Sequence, residues 1–193
     1  MVVPPHPPRT KGNKRERTRA RLIDAAVAVI RERGFYHTTL EEVARRAGMT
    51  RGAIYGNFTN KDELFLAVAD ARWKPVIPIR YGTTLEQHMR IVGEAVVEAI
   101  PARRAQALGA LSFYIYALTH EDVRSRIAQL NRDIYRRSGE TLERLLPPDE
   151  LPMPPEQFGR VLHALADGLL LLRLVQPELV TDELIRAAFA ALA

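Results

Sequence analysis

The segment TLEEVARRAGMTRGAIYGNFTNK, which begins at Thr39, constrains the fold more than any other part of the chain. Thr39 and Glu42 have the spacing of a capping box, in which each side chain accepts a hydrogen bond from the other residue's backbone N–H at a helix start. Gly48 follows at a place where a chain leaving a helix often requires positive φ. Thr50 then caps a second helix, predicted over 51–58. Two short helices joined by a tight turn indicate a helix-turn-helix unit.

Apolar residues recur at helical spacing along most of the remaining chain, and no segment alternates convincingly as a strand does. Gly34 is expected to end the first helix, with Phe35 folding back onto Ile30 in a Schellman arrangement. Prolines, including Pro101, are expected to separate the later helices. The further predicted helices cover residues 16–33, 61–74, 85–100, 103–119, 122–146, 156–175 and 182–192. The sequence therefore predicts an all-α chain.

Charge and composition divide the chain into three parts. Residues 1–61 hold 13 Lys and Arg against 5 Asp and Glu, whereas residues 62–193 hold 15 against 18. Residues 1–15 are rich in proline and basic side chains, which favours a disordered basic arm. We predict a three-helix helix-turn-helix DNA-binding domain over 16–62 and a helical body over 63–193, because only the basic amino-terminal part suits contact with phosphate.

Enzymatic and metal-binding functions have little support in the sequence. The chain has no cysteine, and its five histidines do not have zinc-binding spacing. Serine-nucleophile motifs and phosphate-binding glycine loops are also missing. We therefore predict no catalytic residue, no metal and no cofactor. The chain shows neither a signal peptide nor an apolar stretch that could span a bilayer, so a cytoplasmic location without a membrane partner is expected.

Outward side chains near the start of the second short helix are the candidate base readers, because a helix fits the major groove, where base edges differ. Thr50 and Arg51 hold that position. Arg51 can contact guanine with two hydrogen bonds, worth roughly 1 to 3 kcal/mol of discrimination, or can contact only phosphate or solvent. Gly52 either lets the helix approach the groove closely or only tolerates the tight helix start. The basic arm is expected either to enter a minor groove or to add sequence-independent attraction.

Several linked motifs resemble the amino-terminal domain of TetR-family transcriptional regulators. They are an amphipathic helix ending in Gly34-Phe35, then TTLEEVARRAG, TRGAIYGNF and KDELF, and the resemblance runs from about Thr18 to Leu66. The body resembles the family only as a set of helices of suitable length. The resemblance implies a homodimeric regulator, usually a repressor, with a carboxyl-terminal domain over 63–193 for effector binding and dimerisation. It also implies that a small molecule bound there changes the spacing of two DNA-binding heads.

The resemblance also assigns DNA-binding roles to individual residues. Tyr55 and Lys61 match the family's phosphate-binding Tyr and Lys. Asn57 stands where many relatives carry His, so it departs from the family pattern. Thr39 either adds a phosphate contact or serves only as a cap. The expected DNA-binding residues are Thr39, Thr50, Arg51, Gly52, Tyr55, Asn57 and Lys61.

Residues 163–174 are apolar around much of their helix circumference, and 182–192 adds further apolar residues, so both segments are expected to pack against their copies in a second chain. The family resemblance implies that this contact is a four-helix interface. Burial within one chain is the alternative. The predicted dimerisation residues are His163, Leu170, Leu171, Leu174, Leu184, Ala188 and Phe189. Pockets between helices are mostly apolar with a few polar anchors, and aromatic residues at helical spacing are also typical of ordinary core. The candidate effector-binding residues are Trp73, Met89, Phe113, Tyr114, Tyr116 and His120.

The sequence thus predicts a sequence-specific, homodimeric transcriptional repressor bound to a palindromic operator in double-stranded DNA. An unidentified small-molecule effector is expected to release it. One alternative is a helical small-molecule carrier that binds DNA weakly and without sequence preference. A second alternative is an activator or a nucleoid-type protein, which differs from a repressor in operator position or in specificity.

Overall fold

The computed structural model describes residues 11–72, Pro78 and residues 84–193, and the regular structure in these parts is entirely helical, as predicted. Eight α-helices and one short 3-10 helix, Pro148–Glu150, follow one another in this described part. The α-helices are α1 (Lys11–Arg33), α2 (Leu40–Arg46), α3 (Arg51–Tyr55), α4 (Lys61–Arg72), α5 (Leu85–Thr119), α6 (Glu121–Leu145), α7 (Pro155–Val175) and α8 (Asp182–Ala190).

The chain divides into two compact units, Met1–Trp73 and Lys74–Ala193. Helix α4 belongs to the first unit because it packs against α1. Next to this contact, Phe35 meets Phe65 edge-on, with 4.6 Å between the ring centroids. The predicted domain boundary after residue 62 differs from this division, since it falls inside α4.

Helix α1 begins at Lys11, five residues before the predicted start. Residues 11–15 are therefore helical and not part of a disordered arm, while residues 1–10 lie outside the described part. At its other end Gly34 has φ 74°, and its N–H donates to the Ile30 carbonyl at 2.8 Å. This bond is the single contact of an αL cap, so the predicted Schellman arrangement at Gly34 is wrong.

The Schellman motif occurs instead at the end of α2. Gly48 has φ 62°, which confirms the positive φ expected at this position. Its N–H donates to the Arg45 carbonyl at 3.1 Å, and the N–H of Met49 donates to the Ala44 carbonyl at 2.9 Å. Because these two bonds close the turn between α2 and α3, they define the direction in which α3 begins.

Helix α3 is shorter than predicted, since it ends at Tyr55 and not at residue 58. Its last turn is closed by Phe58 and Asn57, whose N–H groups both donate to the Ile54 carbonyl. Ile54 and Phe58 are almost completely buried. These two side chains anchor α3 in the core of the first unit, which leaves its opposite side exposed.

Pro101 lies inside α5 and does not divide it into the two predicted helices. Residues on both sides of it are buried, including Val96 and Phe113, whereas Pro101 itself is exposed. Proline removes one backbone donor from a helix. At an exposed position water can hydrogen-bond to the carbonyl that loses its partner, so packing on both sides keeps the helix continuous.

The core of the second unit forms where α5 packs along α8 and α6 packs along α7. The approach of α6 to α7 requires a glycine, because a Cβ at Gly139 would lie 2.9 Å from the Cα of Glu156. Most predicted apolar faces are found in this core. Its most buried side chains include Met89, Val92, Val96, Leu142, Phe158, Leu162, Ile185 and Phe189.

Candidate nucleic-acid interface

Two threonines cap the helices of the helix-turn-helix. The hydroxyl of Thr39 accepts from the N–H of Glu42 at 3.2 Å, and that of Thr50 accepts from the N–H of Ala53 at 3.3 Å. The carboxylate of Glu42 bonds Arg45 at 2.7 and 2.9 Å. Glu42 thus pairs with a neighbour on its own helix, so the structure records only the threonine half of the predicted capping box. Each capping hydroxyl keeps its own hydrogen for donation to a phosphate.

The exposed side of α3 carries three of the seven predicted DNA-binding residues. The side chain of Arg51 is 75% exposed, and Tyr55 is 42% exposed. A Cβ at Gly52 would meet only the Thr50 hydroxyl oxygen, at 3.9 Å. Packing within the described chain therefore does not require glycine at this position. The absence of a side chain does leave the backbone of α3 accessible at its first turn.

Glu41 on α2 connects the exposed residues of α3. Its carboxylate accepts a hydrogen bond from the Tyr55 hydroxyl at 2.8 Å and lies 3.5 Å from the Arg51 guanidinium. The guanidinium also lies over the Tyr55 ring, 5.4 Å from the centroid. The hydrogen bond from Tyr55 is the largest cause that lowers the pKa of Glu41. We call Glu41, Arg51 and Tyr55 the Glu41 cluster.

Asn57, which was predicted to bind DNA, does not share this exposed side. It is half-buried, and its side-chain N–H donates to the Ala53 carbonyl at 2.8 Å. Its backbone carbonyl accepts from Arg19 at 3.1 Å. The first bond closes the end of α3 and the second joins it to α1, so Asn57 has a structural role.

Lys61 stands at the first position of α4, beside the end of α3. Its ammonium donates to the Tyr36 carbonyl at 3.1 Å and lies 4.1 Å from the centre of the Phe35 ring. Burial lowers the pKa of this ammonium. One of its three N–H bonds is used within the chain, so the others can reach an anion.

Several other basic side chains are engaged inside the first unit. Arg46 pairs with Glu32, and Arg21 donates to the Ala47 carbonyl at 2.9 Å. The guanidinium of Arg19 lies 4.4 Å from the centre of the Phe58 ring. These basic side chains therefore contribute to the packing of α1 within the first unit.

The predicted dimerisation residues fall into three groups in the second unit. Leu171 and Leu184 are exposed, whereas His163, Leu174 and Ala188 are half-buried. Leu170 and Phe189 are buried in the core of their own chain, so assigning them to an intermolecular contact was wrong. A helix that is apolar on most sides does not show in its sequence which side faces its own core.

The predicted effector-binding residues differ in their burial. Met89 and Phe113 are completely buried, and Met89 belongs to the main core. Tyr114 is exposed. Tyr116 and His120 lie together, with rings stacked at 3.6 Å and the His120 Nδ1 2.9 Å from the Tyr116 carbonyl oxygen. Trp73 lies outside the described residues.

His88 on α5 is a polar residue that sequence reasoning did not select. It is completely buried, and neither ring nitrogen has a hydrogen-bond partner in the described structure. Burial lowers its pKa, which favours the neutral imidazole. An unpaired buried polar group costs roughly 1 to 3 kcal/mol, so its presence calls for an explanation. A single histidine in a helix carries no sequence signal that could have identified it.

Two family profiles match the chain along most of its length. The profile of bacterial regulatory proteins of the tetR family matches residues 22–68, and that of the BetI-type transcriptional repressor carboxyl-terminal domain matches residues 86–193. The chain belongs to the TetR family. The first TetR profile includes α2, α3 and the start of α4, and therefore the Glu41 cluster.

Named relatives of this TetR-family chain are transcriptional regulators. The chain is 33% identical over 100 residues to SrpR of Pseudomonas putida, which is 51% of this chain and about half, 47%, of SrpR. It is 29% identical over 169 residues to BetI of Serratia proteamaculans, with 78% of each chain covered. It resembles the crystal structure of NalD, the secondary repressor of the MexAB-OprM multidrug efflux pump in Pseudomonas aeruginosa. That match has a TM-score of 0.57 and 27% identity, and it covers 92% of this chain and 94% of NalD.

In the described part of the chain, no helix combines the length and apolar character that a membrane span requires. The same residues contain no group of three or more His, Asp or Glu side chains arranged to hold a metal ion.

Proposed function

We propose that this TetR-family regulator is a homodimeric repressor that binds a palindromic operator and leaves it when a small molecule binds the second unit. This proposal rests mainly on the exposed side of α3. Arg51, Gly52 and Tyr55 face outward there, while Ile54 holds the helix in the core. A capped helix with such a face suits the major groove, where Arg51 is the proposed base reader.

An exposed apolar side of α7 supports the homodimer. Ala164, Gly168, Leu171 and Val175 lie about one turn apart along it and are all exposed. A Cβ at Gly168 would meet no atom of the described chain within 4 Å, so packing inside the chain does not require glycine there. Small residues at this spacing let a second helix approach closely. The exposed residues Leu172 on α7, Leu179 between the two helices and Leu184 on α8 extend the apolar area, and we call the whole set the α7–α8 face.

A dimer that uses the α7–α8 face is isologous, because the same surface of each copy meets its twin. Two heads related by twofold symmetry match a palindrome with half-sites about one helical turn, or a multiple of it, apart. Weak binding by each head then becomes strong binding by the pair. The operator is therefore expected to be palindromic.

Repression is tested with a reporter gene whose promoter carries the duplex that the protein selects from a random pool. Expression is expected to fall when the protein is present and to recover with the Arg51→Ala variant. NalD is named as a repressor, and the carboxyl-terminal profile is that of a BetI-type repressor. Both names support repression and not activation. Increased expression with the wild-type protein would assign an activator instead.

Lys61→Ala is expected to weaken binding to every duplex by a similar factor, because its remaining N–H bonds are proposed to contact phosphate. The slope of log affinity against log salt concentration should become less steep by about 0.9 for each phosphate contact that a head loses. The measurement is a salt titration on selected and random duplexes. Lys61→Arg is the control, since it keeps the charge. A loss restricted to the selected duplex would contradict the phosphate role.

Effector binding is proposed for the second unit, with His88 as a polar anchor. A neutral imidazole offers one donor and one acceptor on opposite sides of its ring, so a ligand hydroxyl or amide group would satisfy one nitrogen atom of His88 and two such groups would satisfy both. Release of DNA requires this ligand to prefer the conformer with the lower DNA affinity, since equal affinity for both conformers shifts nothing.

His88→Leu is expected to stabilise the protein without ligand by about 1 to 3 kcal/mol, because two buried unpaired polar atoms are removed. The pKa of His88 in the folded protein lies below its value of about 6.5 in the unfolded chain. The unfolded chain therefore takes up a proton that the folded protein excludes, and stability falls as the pH drops below about 6.5. When the pH is lowered from 7.5 to 5.5, the free energy of unfolding should therefore fall less for His88→Leu than for the wild-type protein.

Urea unfolding at both pH values measures these two effects. His163 also has a pKa lowered mainly by burial, so a smaller pH dependence should remain in the variant. His120→Leu is the control, because the His120 ring already has a hydrogen-bond partner. A less stable His88→Leu protein at pH 7.5 would show that the imidazole has a partner in solution.

A further inference from the structure

The Glu41 cluster places a carboxylate among the groups proposed to contact DNA. The Tyr55 hydroxyl has one hydrogen, and this hydrogen is donated to Glu41 at 2.8 Å. Glu41 is exposed and is not needed to fill the core. An acidic side chain on a surface that meets a polyanion weakens binding, so its place beside Tyr55 calls for a functional reason.

Tyr55 cannot donate to a phosphate while its hydrogen is bonded to Glu41. A phosphate must therefore displace the carboxylate and must also approach another negative charge. Both effects act on any duplex, whatever its sequence, because every duplex presents the same phosphates. Binding to random DNA depends only on such phosphate contacts. No base contact therefore offsets the affinity that is lost through Glu41.

Arg51 is affected differently. Its guanidinium has five N–H bonds in a planar fork, and one atom of that fork, Nη2, lies 3.5 Å from a carboxylate oxygen of Glu41. The Tyr55 ring lies beneath the guanidinium, with 5.4 Å between the ring centroid and Cζ. The other N–H bonds can meet a guanine, while Glu41 and Tyr55 limit the orientations of the side chain. Less rotamer freedom then has to be lost when the base contact forms.

We infer that Glu41 is a specificity-determining residue, which disfavours contacts to phosphate alone and positions Arg51 for a base. This inference rests on the proposed DNA-binding function. The neighbouring acid Glu42 differs, since its carboxylate pairs with Arg45 on the same helix. Glu42 therefore provides a control for the charge, in the same helix and one residue away.

The test compares Glu41→Gln with Glu42→Gln in the full chain. Each variant removes one negative charge per head and keeps the side-chain length. Fluorescence anisotropy at one fixed salt concentration measures affinity for a random duplex and for the duplex that the wild-type protein selects. Glu41→Gln should raise affinity for the random duplex by about fivefold, the effect of one unit charge a few ångströms from a phosphate in water. Affinity for the selected duplex should rise by less than about half that factor, because positioning of Arg51 is lost.

The ratio of the two affinities is expected to fall with Glu41→Gln and to stay constant with Glu42→Gln. An unchanged ratio with Glu41→Gln, or an equal fall with both variants, would overturn the inference while leaving the DNA-binding function intact. If the wild-type protein selects no duplex, the proposed function fails. The random-duplex comparison then still decides whether Glu41 opposes phosphate binding more than Glu42 does.

A double-mutant cycle with Tyr55→Phe tests the proposed route. Phenylalanine keeps the ring beneath Arg51 and removes the hydrogen that Glu41 accepts. In this background Glu41→Gln should raise random-duplex affinity by a smaller factor than in the wild type. An equal factor in both backgrounds would show that Glu41 acts only as a general surface charge. Thermal unfolding of each variant identifies any that are misfolded.

Discussion

Gly168→Trp in α7 is expected to convert the dimer to a monomer and to lower affinity for the selected palindrome by about 100-fold or more. The indole would stand in the middle of the α7–α8 face and prevent close approach of a second copy. Inside one chain it has room, because a Cβ at this position meets no described atom within 4 Å. Helix propensity also improves when glycine is replaced, so the monomer should remain folded.

Light scattering during size-exclusion chromatography measures the first effect, since the chain mass is 21.8 kDa and the wild-type dimer should show twice that value. Affinity for the palindrome and for a single half-site measures the second. Glu143→Trp on an exposed part of α6 is the control for adding an indole. A dimeric Gly168→Trp protein would show that the two copies meet through another surface.

Arg51→Ala is expected to lower affinity for the selected duplex and to remove preference at one base pair in each half-site. A two-bond contact with guanine discriminates by about 5- to 150-fold. Affinity for random DNA should change much less, because a phosphate contact is not the proposed role. Titration of the selected duplex and of duplexes changed at single positions provides the measurement.

Arg45→Ala is the matched control, since Arg45 is exposed on α2 and pairs with Glu42. It should lower affinity for all duplexes by the same small factor. If Arg51→Ala lowers specific and random binding equally, Arg51 contacts phosphate and another residue reads the bases.

Local rules predicted much of the DNA-binding head. Several predicted features depend only on residues within one turn of each other. They are the caps at Thr39 and Thr50, the positive φ at Gly48 and the outward position of Arg51. The Glu41 cluster was missed because Glu41 and Tyr55 lie on different helices, and only the turn at Gly48 brings them together.

Errors in the second unit have the same physical origin. Periodicity identified α7 and α8 as apolar, yet Leu170 and Phe189 belong to the core and Leu171 to the surface. Where a helix is apolar on most sides, its orientation depends on neighbours that local periodicity does not specify. Pro101 was expected to break α5 for a similar reason, since packing on both sides outweighs one lost backbone bond.

Selection of random duplex DNA by the purified protein at near-physiological salt tests the central claim most directly. We predict recovery of a palindrome with half-sites about one helical turn, or a multiple of it, apart, bound by two chains. Recovery of duplexes without a shared motif would contradict the proposed sequence-specific dimer and would favour a helical carrier that binds DNA only through phosphate.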